Sequence, residues 1–170
     1  MSIKAIVVTF MLITSLAVQA DEEEIEVLFS SKTLTPEAAL MVSQAALESC
    51  RKSGFQVSVA VIDNGGNIQV VLRDRLAGIL SPEAAILKAK TSLNFRSATT
   101  ALSDAVNSNS EASGIKQLPG ILVLGGGVTI QASGSMVGAV GVAGAPEGKS
   151  DEECALAGIE AIQELLELAD

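Results

Sequence analysis

The segment from Val57 to Leu72 constrains the fold most, because it holds two short aliphatic runs joined by one tight turn. Val57–Ile62 and Ile68–Leu72 are rich in β-branched residues, which favour strands. The turn Asn64–Asn67 places two glycines between two asparagines, a pattern typical of β-hairpins. Strands joined this closely pair side by side, so the sequence predicts an antiparallel sheet.

Helix start signals lie on both sides of this hairpin. Thr35-Pro36-Glu37 and Ser81-Pro82-Glu83 each place a hydroxyl, a proline and an acid in the order favoured at a helix N-terminus. The pattern predicts helices at 36–53, 81–95, 99–106 and 151–168, strands at 57–62, 68–72, 121–124, 128–131 and 136–142, and a loop at 107–114. Helices and strands grouped in this way indicate the α+β class.

The first twenty residues have the pattern of an export signal. Lys4 precedes the apolar run Ile6–Leu16, and small residues end the segment at Ala20. We therefore predict a signal peptide at 1–20, an acidic N-terminal segment at 21–33 and one domain at 34–170. The apolar run is too short to span a bilayer, so we expect no membrane anchor after cleavage and a periplasmic or secreted protein.

Composition excludes several classes of function. The chain has no His, Trp or Tyr, so Ser-His-Asp and Cys-His centres and histidine-based zinc sites cannot form, and we predict no metal site. Of its 11 basic residues one lies in the predicted signal peptide and none of its 20 acidic residues does, so the mature net charge is 10 − 20 = −10. That balance argues against nucleic acid as a partner, because such proteins carry a basic face.

Two cysteines, Cys50 and Cys154, lie on predicted helices. An even pair in an exported protein favours a disulfide. Two buried thiols are the alternative, since sequence does not show whether the Cα atoms come within reach. A catalytic cysteine is disfavoured, because no histidine is present to activate it.

Positive charge is concentrated in one part of the chain. The basic residues between positions 73 and 96 are Arg73, Arg75, Lys88, Lys90 and Arg96. Only Asp74 and Glu83 oppose them, which leaves 5 − 2 = +3 in this segment. Such a cluster suits an anionic ligand, although solvated surface charge is the alternative. Helical spacing places Lys90 beside the apolar residues Ile86 and Leu93, and Lys88 on the opposite side.

Two further features allow both a functional and a structural interpretation. The run Gly125, Gly126 and Gly127 lets backbone amides approach an anion, or serves as a flexible turn between strands. It lacks the following lysine and helix of a phosphate-binding loop. Asp63 leads into the hairpin turn, where a carboxylate can act as a catalytic base or organise the backbone.

Three segments carry a family resemblance: LTPEAALMVSQAAL at 34–47, VSVAVIDNGGNIQVVLRD at 57–74 and GVAGAPEGKSDEECALAGIEAI at 141–162. Together they resemble the GlcG/HbpS family of haem-degrading or haem-binding domains. The resemblance implies a profilin-like fold, in which helices flank a five-stranded antiparallel sheet. It also implies a homo-oligomer and a ligand such as haem, a corrinoid or another small molecule. It favours Lys88 over Lys90 as the recurrent lysine of the site.

Haem is a demanding ligand for this composition, since its iron is usually held by His, Cys, Met or Tyr. After signal cleavage only Met41, Met136 and the two cysteines remain, although the resemblance also implies ligation by a hydroxyl. The favoured function is an exported binding protein for haem, a related tetrapyrrole or another anionic apolar ligand, with Arg73, Lys88 and Lys90 as charge partners. The alternatives are a small enzyme acting on an organic acid or lactone, with Asp63 as base and Arg73 holding the substrate, and a non-catalytic oligomeric partner subunit.

Overall fold

The computed structural model describes residues 26–169, so the predicted signal peptide at 1–20 and the first residues of the acidic segment lie outside the described residues. The chain divides into an N-terminal unit ending at Ser30 and a second unit, Ser31–Asp170. Residues 26–30 form no regular secondary structure. All described helices and strands belong to the second unit, and none of these helices has the length and apolar character needed to cross a membrane.

The second unit contains an antiparallel sheet, which confirms the α+β class. Its strands are β1 (Ser58–Asp63), β2 (Ile68–Arg73), β3 (Gly127–Ala132) and β4 (Ser135–Ala143), in the order β2-β1-β4-β3. The predicted hairpin forms β1 and β2. The two central strands pair directly, with Ser58 opposite Ala143 and Asp63 opposite Gly138.

The prediction of five strands is wrong, because the described sheet has four. The segment predicted as the fifth, residues 121–124, pairs with no strand. Its backbone bonds elsewhere: the Leu122 amide donates to Thr91 Oγ1 at 2.9 Å, and the Leu124 amide donates to the Leu122 carbonyl at 3.0 Å. Because these amides already have hydrogen-bond acceptors, the segment does not need to pair with a strand, and it does not extend the sheet.

Residues 26–169 form five α-helices around the sheet, and the first four begin within three residues of the predicted positions. They are α1 (Pro36–Lys52), α2 (Ser81–Phe95), α3 (Thr99–Ser108), α4 (Gly148–Glu160) and α5 (Gln163–Glu167). As the capping signal predicts, Thr35 Oγ1 accepts a hydrogen bond from the Ala38 amide at 3.3 Å. The predicted last helix is in fact two, because the chain turns at Ile162 and buries that side chain. A 3₁₀-helix, Glu111–Gln117, replaces part of the predicted loop.

The helices cover both faces of the sheet. Val57, Val59 and Val61 face the main core, which also contains side chains of α1 and α4. The intervening residues of β1, Ala60 and Ile62, pack on the other face against alanines of α2. The backbones approach so closely on this face that a Cβ atom at Gly141 would lie 2.0 Å from the Ala85 carbonyl oxygen. Small residues therefore determine the position of α2.

A disulfide joins the two helices on the opposite face. Cys50 of α1 and Cys154 of α4 are bonded at 2.11 Å between sulfur atoms, with their Cα atoms 5.5 Å apart. Both residues are buried in the main core. The bridge thereby links positions 104 residues apart in the sequence.

An ion pair holds the end of α1 to the segment after β2. Arg51 Nε and Nη2 donate to the two carboxylate oxygens of Asp74 at 2.8 and 3.0 Å. The side-chain hydrogen bond from Arg51 holds the pKa of the Asp74 carboxyl below its usual value, against the opposing effect of burial. The charged form of Asp74 is therefore favoured in the folded protein.

Asp74→Asn is expected to destabilise the protein more at pH 7 than at pH 3. Because the folded-state pKa of Asp74 lies below the ordinary value of 3.8, its stabilising contribution is complete above that value and is lost as the pH falls through the folded-state pKa. Urea unfolding of both proteins at the two pH values measures the difference in free energy of unfolding. An equal difference at both values would contradict the prediction.

Candidate functional site

An open cavity of about 560 Å³ lies where α2, α3 and the start of α4 meet the segment after β4. This is a size typical of small-molecule sites. Its apolar wall consists of Leu80, Ala84, Leu124, Ala143, Ala145 and Pro146, with Gly125, Gly144 and Gly148. Its polar wall consists of Ser81, Lys88, Thr100, Ser103, Asp104, Lys149 and Asp151. The cavity therefore offers apolar surface together with a small set of charged and hydroxyl groups.

A buried ion pair forms part of this wall. Lys88 Nζ, from the middle of α2, lies 2.7 Å from Asp151 Oδ2, in the first turn of α4. The ammonium also donates to the Val142 carbonyl at 2.9 Å, and Asp151 Oδ1 accepts from the Ala145 amide at 2.9 Å. Only 4% of Lys88 and 2% of Asp151 are exposed. The pair thus connects α2, β4 and α4 at one point.

The ammonium of Lys88 affects the pKa of the Asp151 carboxyl. Burial raises the pKa of the Asp151 carboxyl above its usual value, and the hydrogen bond and charge of Lys88 only partly oppose that effect. A lysine ammonium has three N–H donors, of which two are used within the described part of the chain. The third donor has no partner among residues 26–169, and Lys88 lines the cavity.

Two of the three glycines, Gly126 and Gly127, pack against the residues of this ion pair, and Gly125 packs against Thr100 and Gly148. Gly126 has φ +118°, and a Cβ atom there would lie 2.7 Å from Asp151 Cβ and 3.0 Å from Lys88 Nζ. A Cβ atom at Gly127 would lie 2.2 Å from the Lys88 carbonyl oxygen. Among the three, Gly125 alone lines the cavity. Close packing thus explains why glycine occupies these three positions. Contact with a ligand stays a prediction for Gly125.

Thr100 adds a hydroxyl whose hydrogen-bonding capacity is unused. Its Oγ1 is buried in the cavity wall and has no hydrogen-bond partner among residues 26–169. A buried hydroxyl left in this way is unfavourable, and a ligand that bonds to it removes the cost. No sequence pattern marks Thr100 or Lys149 as site residues, and the only signal for Asp151 is the acidic first turn of the predicted last helix.

The predicted basic residues do not all meet at the cavity. Lys88 reaches its wall, whereas Arg73 and Lys90 are exposed and do not line it. Arg73 Nη2 donates to the Ala77 carbonyl, in the loop before α2. The buried side of α2 is made of Ser81, Ala85, Lys88, Ala89, Thr91 and Ser92, so the structure places Lys88, not Lys90, on the packed face.

Asp63 serves the hairpin. Its carboxylate accepts hydrogen bonds from the Asn67 amide at 2.8 Å and from Gln69 Nε2 at 2.9 Å. Burial raises its pKa, but these hydrogen bonds outweigh that effect, and the pKa lies below its usual value. A catalytic base needs the opposite shift and a place in a pocket, and Asp63 does not line the cavity. No feature of Asp63 thus favours the enzymatic alternative.

The wall of the cavity does not provide a usual axial ligand for haem iron. Met41 and Met136 lie outside it, and both cysteines form the disulfide. The described residues hold no cluster of three His, Cys, Asp or Glu side chains suited to a metal ion. Haem iron therefore does not fit this site in the usual way.

Comparison with known proteins gives a consistent family. Residues 34–160 match the family described as haem degrading protein HbpS-like. HbpS, whose crystal structure is known, shares 41% sequence identity with this chain. The two structures superpose with a TM-score of 0.75 over 80% of this chain and 94% of HbpS. The protein in the crystal structure of a PduOC–haem complex shares 27% sequence identity with this chain, with a TM-score of 0.71 over 76% of this chain and 95% of that one. An uncharacterized 15.0 kDa Citrobacter freundii protein from the dhaT–dhaS intergenic region is 31% identical over 114 residues, which are 66% of this chain and 80% of that protein. The chain belongs to the HbpS-like family.

Proposed function

We propose that this protein binds a small organic anion with an apolar body in the cavity beside Lys88 and Asp151. Haem and related tetrapyrroles are the first candidates, because the chain is an HbpS-like protein and its relative PduOC forms a complex with haem. The observation that carries the proposal is an apolar cavity whose wall contains a buried lysine with an N–H donor to spare.

Different residues of the cavity contact the apolar body and the anionic group of the ligand. The apolar body of the ligand packs on Leu80, Ala84 and Leu124, where burial of apolar surface supplies most of the affinity. A carboxylate of the ligand accepts hydrogen bonds from Lys88 or Lys149. In this arrangement the iron of haem contributes little, since the cavity wall lacks its usual protein ligands.

We also propose that the protein is exported. The pattern at 1–20 predicts a signal peptide, and the disulfide is consistent with an oxidising compartment outside the cytoplasm. Disulfides are rare in the cytoplasm, where thiols are kept reduced. Export would place the cavity where it can capture a ligand from the surroundings of the cell.

A homo-oligomer is the third part of the proposal. Leu80 and Leu124, which line the cavity, are more than half exposed, and so are Leu76 and Ile79 in the segment just before Leu80. A group of exposed apolar residues is a common mark of an interface. A second copy covering these residues would remove them from water and narrow the mouth, because Leu80 and Leu124 also line the cavity.

Haem and metal-free protoporphyrin IX are expected to bind the purified protein with affinities within about threefold of each other, because the carboxylates and the ring are the same in both. Absorbance and fluorescence titrations measure the two affinities. Lys149→Ala is expected to weaken both by roughly fivefold, since it removes one charge partner at the cavity. Lys52→Ala, an exposed lysine at the end of α1, is the matched control.

Two results would contradict this proposal. Saturable binding of haem without binding of protoporphyrin would show that the iron provides the affinity. Loss of affinity in Lys52→Ala equal to that in Lys149→Ala would show that net charge, and not the cavity, governs binding. Arg73→Ala and Lys90→Ala test the earlier sequence prediction in the same titration, and we expect little change because neither residue lines the cavity.

A further inference from the structure

A second cavity, of about 410 Å³, adjoins the first. Ser103 of α3 and Leu124 belong to the walls of both. The rest of the second wall consists of Asn107, Lys116, Ile121, Leu122 and Val123. The two cavities are therefore neighbours along α3, and we refer to them together as the path; the apolar segment 121–124 forms one side of its far half.

The far end of this path carries a positive charge. Lys116 is exposed, and its Nζ donates to Asn107 Oδ1 at 2.6 Å. Among residues 26–169 the salt bridges are Arg51–Asp74 and Lys88–Asp151, so Lys116 has no carboxylate partner there. The wall of the second cavity contains no acidic residue either. Its ammonium keeps two N–H donors for an anionic group.

The length of the path follows from the helix that lines it. Thr100 contributes to the first cavity and Asn107 to the second, and both lie on α3. Seven residues at 1.5 Å each correspond to about 10 Å along the helix axis. A ligand that reaches from the Thr100 end of the first cavity to the Asn107 end of the second therefore spans about this distance.

We propose that the two cavities form one site for an organic dianion with an apolar middle. One anionic group binds at Lys88 and Lys149, and the other binds at Lys116. The middle packs on Leu122, Val123 and Leu124. This inference rests on the function proposed for the first cavity and adds the requirement for two anionic groups about 10 Å apart. It thereby favours linear dicarboxylates over haem, whose two carboxylates leave the same edge of the ring.

The test compares three simple carboxylates by isothermal titration calorimetry with the purified protein. Sebacate has a carboxylate at each end of a chain of suitable length, decanoate has the same number of carbon atoms with one carboxylate, and succinate is a short dicarboxylate. Sebacate is expected to bind roughly five- to tenfold more tightly than decanoate, because only it engages both ends. Succinate is expected to bind most weakly.

Variants identify the second anchor. Lys116→Ala is expected to remove the advantage of sebacate and to leave decanoate unchanged, whereas Lys116→Arg retains the advantage because it retains the charge. Lys52→Ala controls for the loss of one positive charge. Equal affinities for sebacate and decanoate in the unmodified protein would overturn the dianion inference while decanoate binding supports the first cavity. Absence of binding by these acids, by haem and by protoporphyrin alike would overturn the proposed function itself.

Discussion

Asp151→Ala is expected to lower the free energy of unfolding by about 3–5 kcal/mol, because it leaves the Lys88 ammonium buried without its carboxylate. Lys88 is only 4% exposed, so water solvates its unpaired ammonium poorly. The same change removes the acceptor of the Ala145 amide. Urea unfolding at neutral pH measures the loss.

A double-mutant cycle separates the pair from its surroundings. Lys88→Met alone is expected to be strongly destabilising as well, since it leaves the Asp151 carboxylate without its partner. The double variant, Lys88→Met with Asp151→Ala, is expected to lose much less than the sum of the single losses. Additive losses would mean that the two side chains stabilise the fold independently, in conflict with the 2.7 Å contact between them.

Reduction of the Cys50–Cys154 bridge is expected to cost about 4–5 kcal/mol, the loss associated with a closed loop on the order of 100 residues. The two cysteines lie 104 positions apart, so the bridge strongly restricts the unfolded chain. Unfolding of oxidised and fully reduced protein in urea measures the difference. Reduction is carried out in the unfolded state, because both cysteines are buried in the native core.

A variant without the bridge provides the control for this experiment. Cys50→Ala with Cys154→Ala is expected to be about as stable as the reduced protein and to be insensitive to reductant. Oxidised and reduced forms of equal stability would contradict the prediction. Continued sensitivity of the double variant to reductant would show that the reagent acts elsewhere.

The parts of the fold that the sequence predicts well depend on local chemistry. Thr35 and Pro36 begin α1 as expected, and Ser81 begins α2. The hairpin of β1 and β2 likewise follows from a few adjacent residues that favour one turn. In each case the deciding interactions lie within a few positions of each other along the chain.

The remaining features depend on contacts between distant residues. Segment 121–124 has the composition of a strand, but the hydroxyl of Thr91 on α2 takes up one of its amides. Lys88 and Asp151 are 63 positions apart, and no local pattern pairs them. Helical spacing favours Lys90 because apolar residues flank it, yet α2 packs through its alanines and serines. Sequence periodicity follows hydrophobicity and therefore misses a helix face made of small residues.

The close contact between α2 and β4 also determines how selective the cavity can be. At Gly141 the helix backbone lies directly on the strand, with no intervening side chain that could change rotamer to let the helix move. Lys88 is carried by that helix, so its position is set by main-chain packing. A ligand in the proposed site would therefore meet, on the α2 side, a wall shaped before it arrives, and little ordering of that side would oppose binding. Selection by this side of the wall would work mainly through rejection of molecules that do not fit, because the backbone of α2 has no room to shift toward the strand.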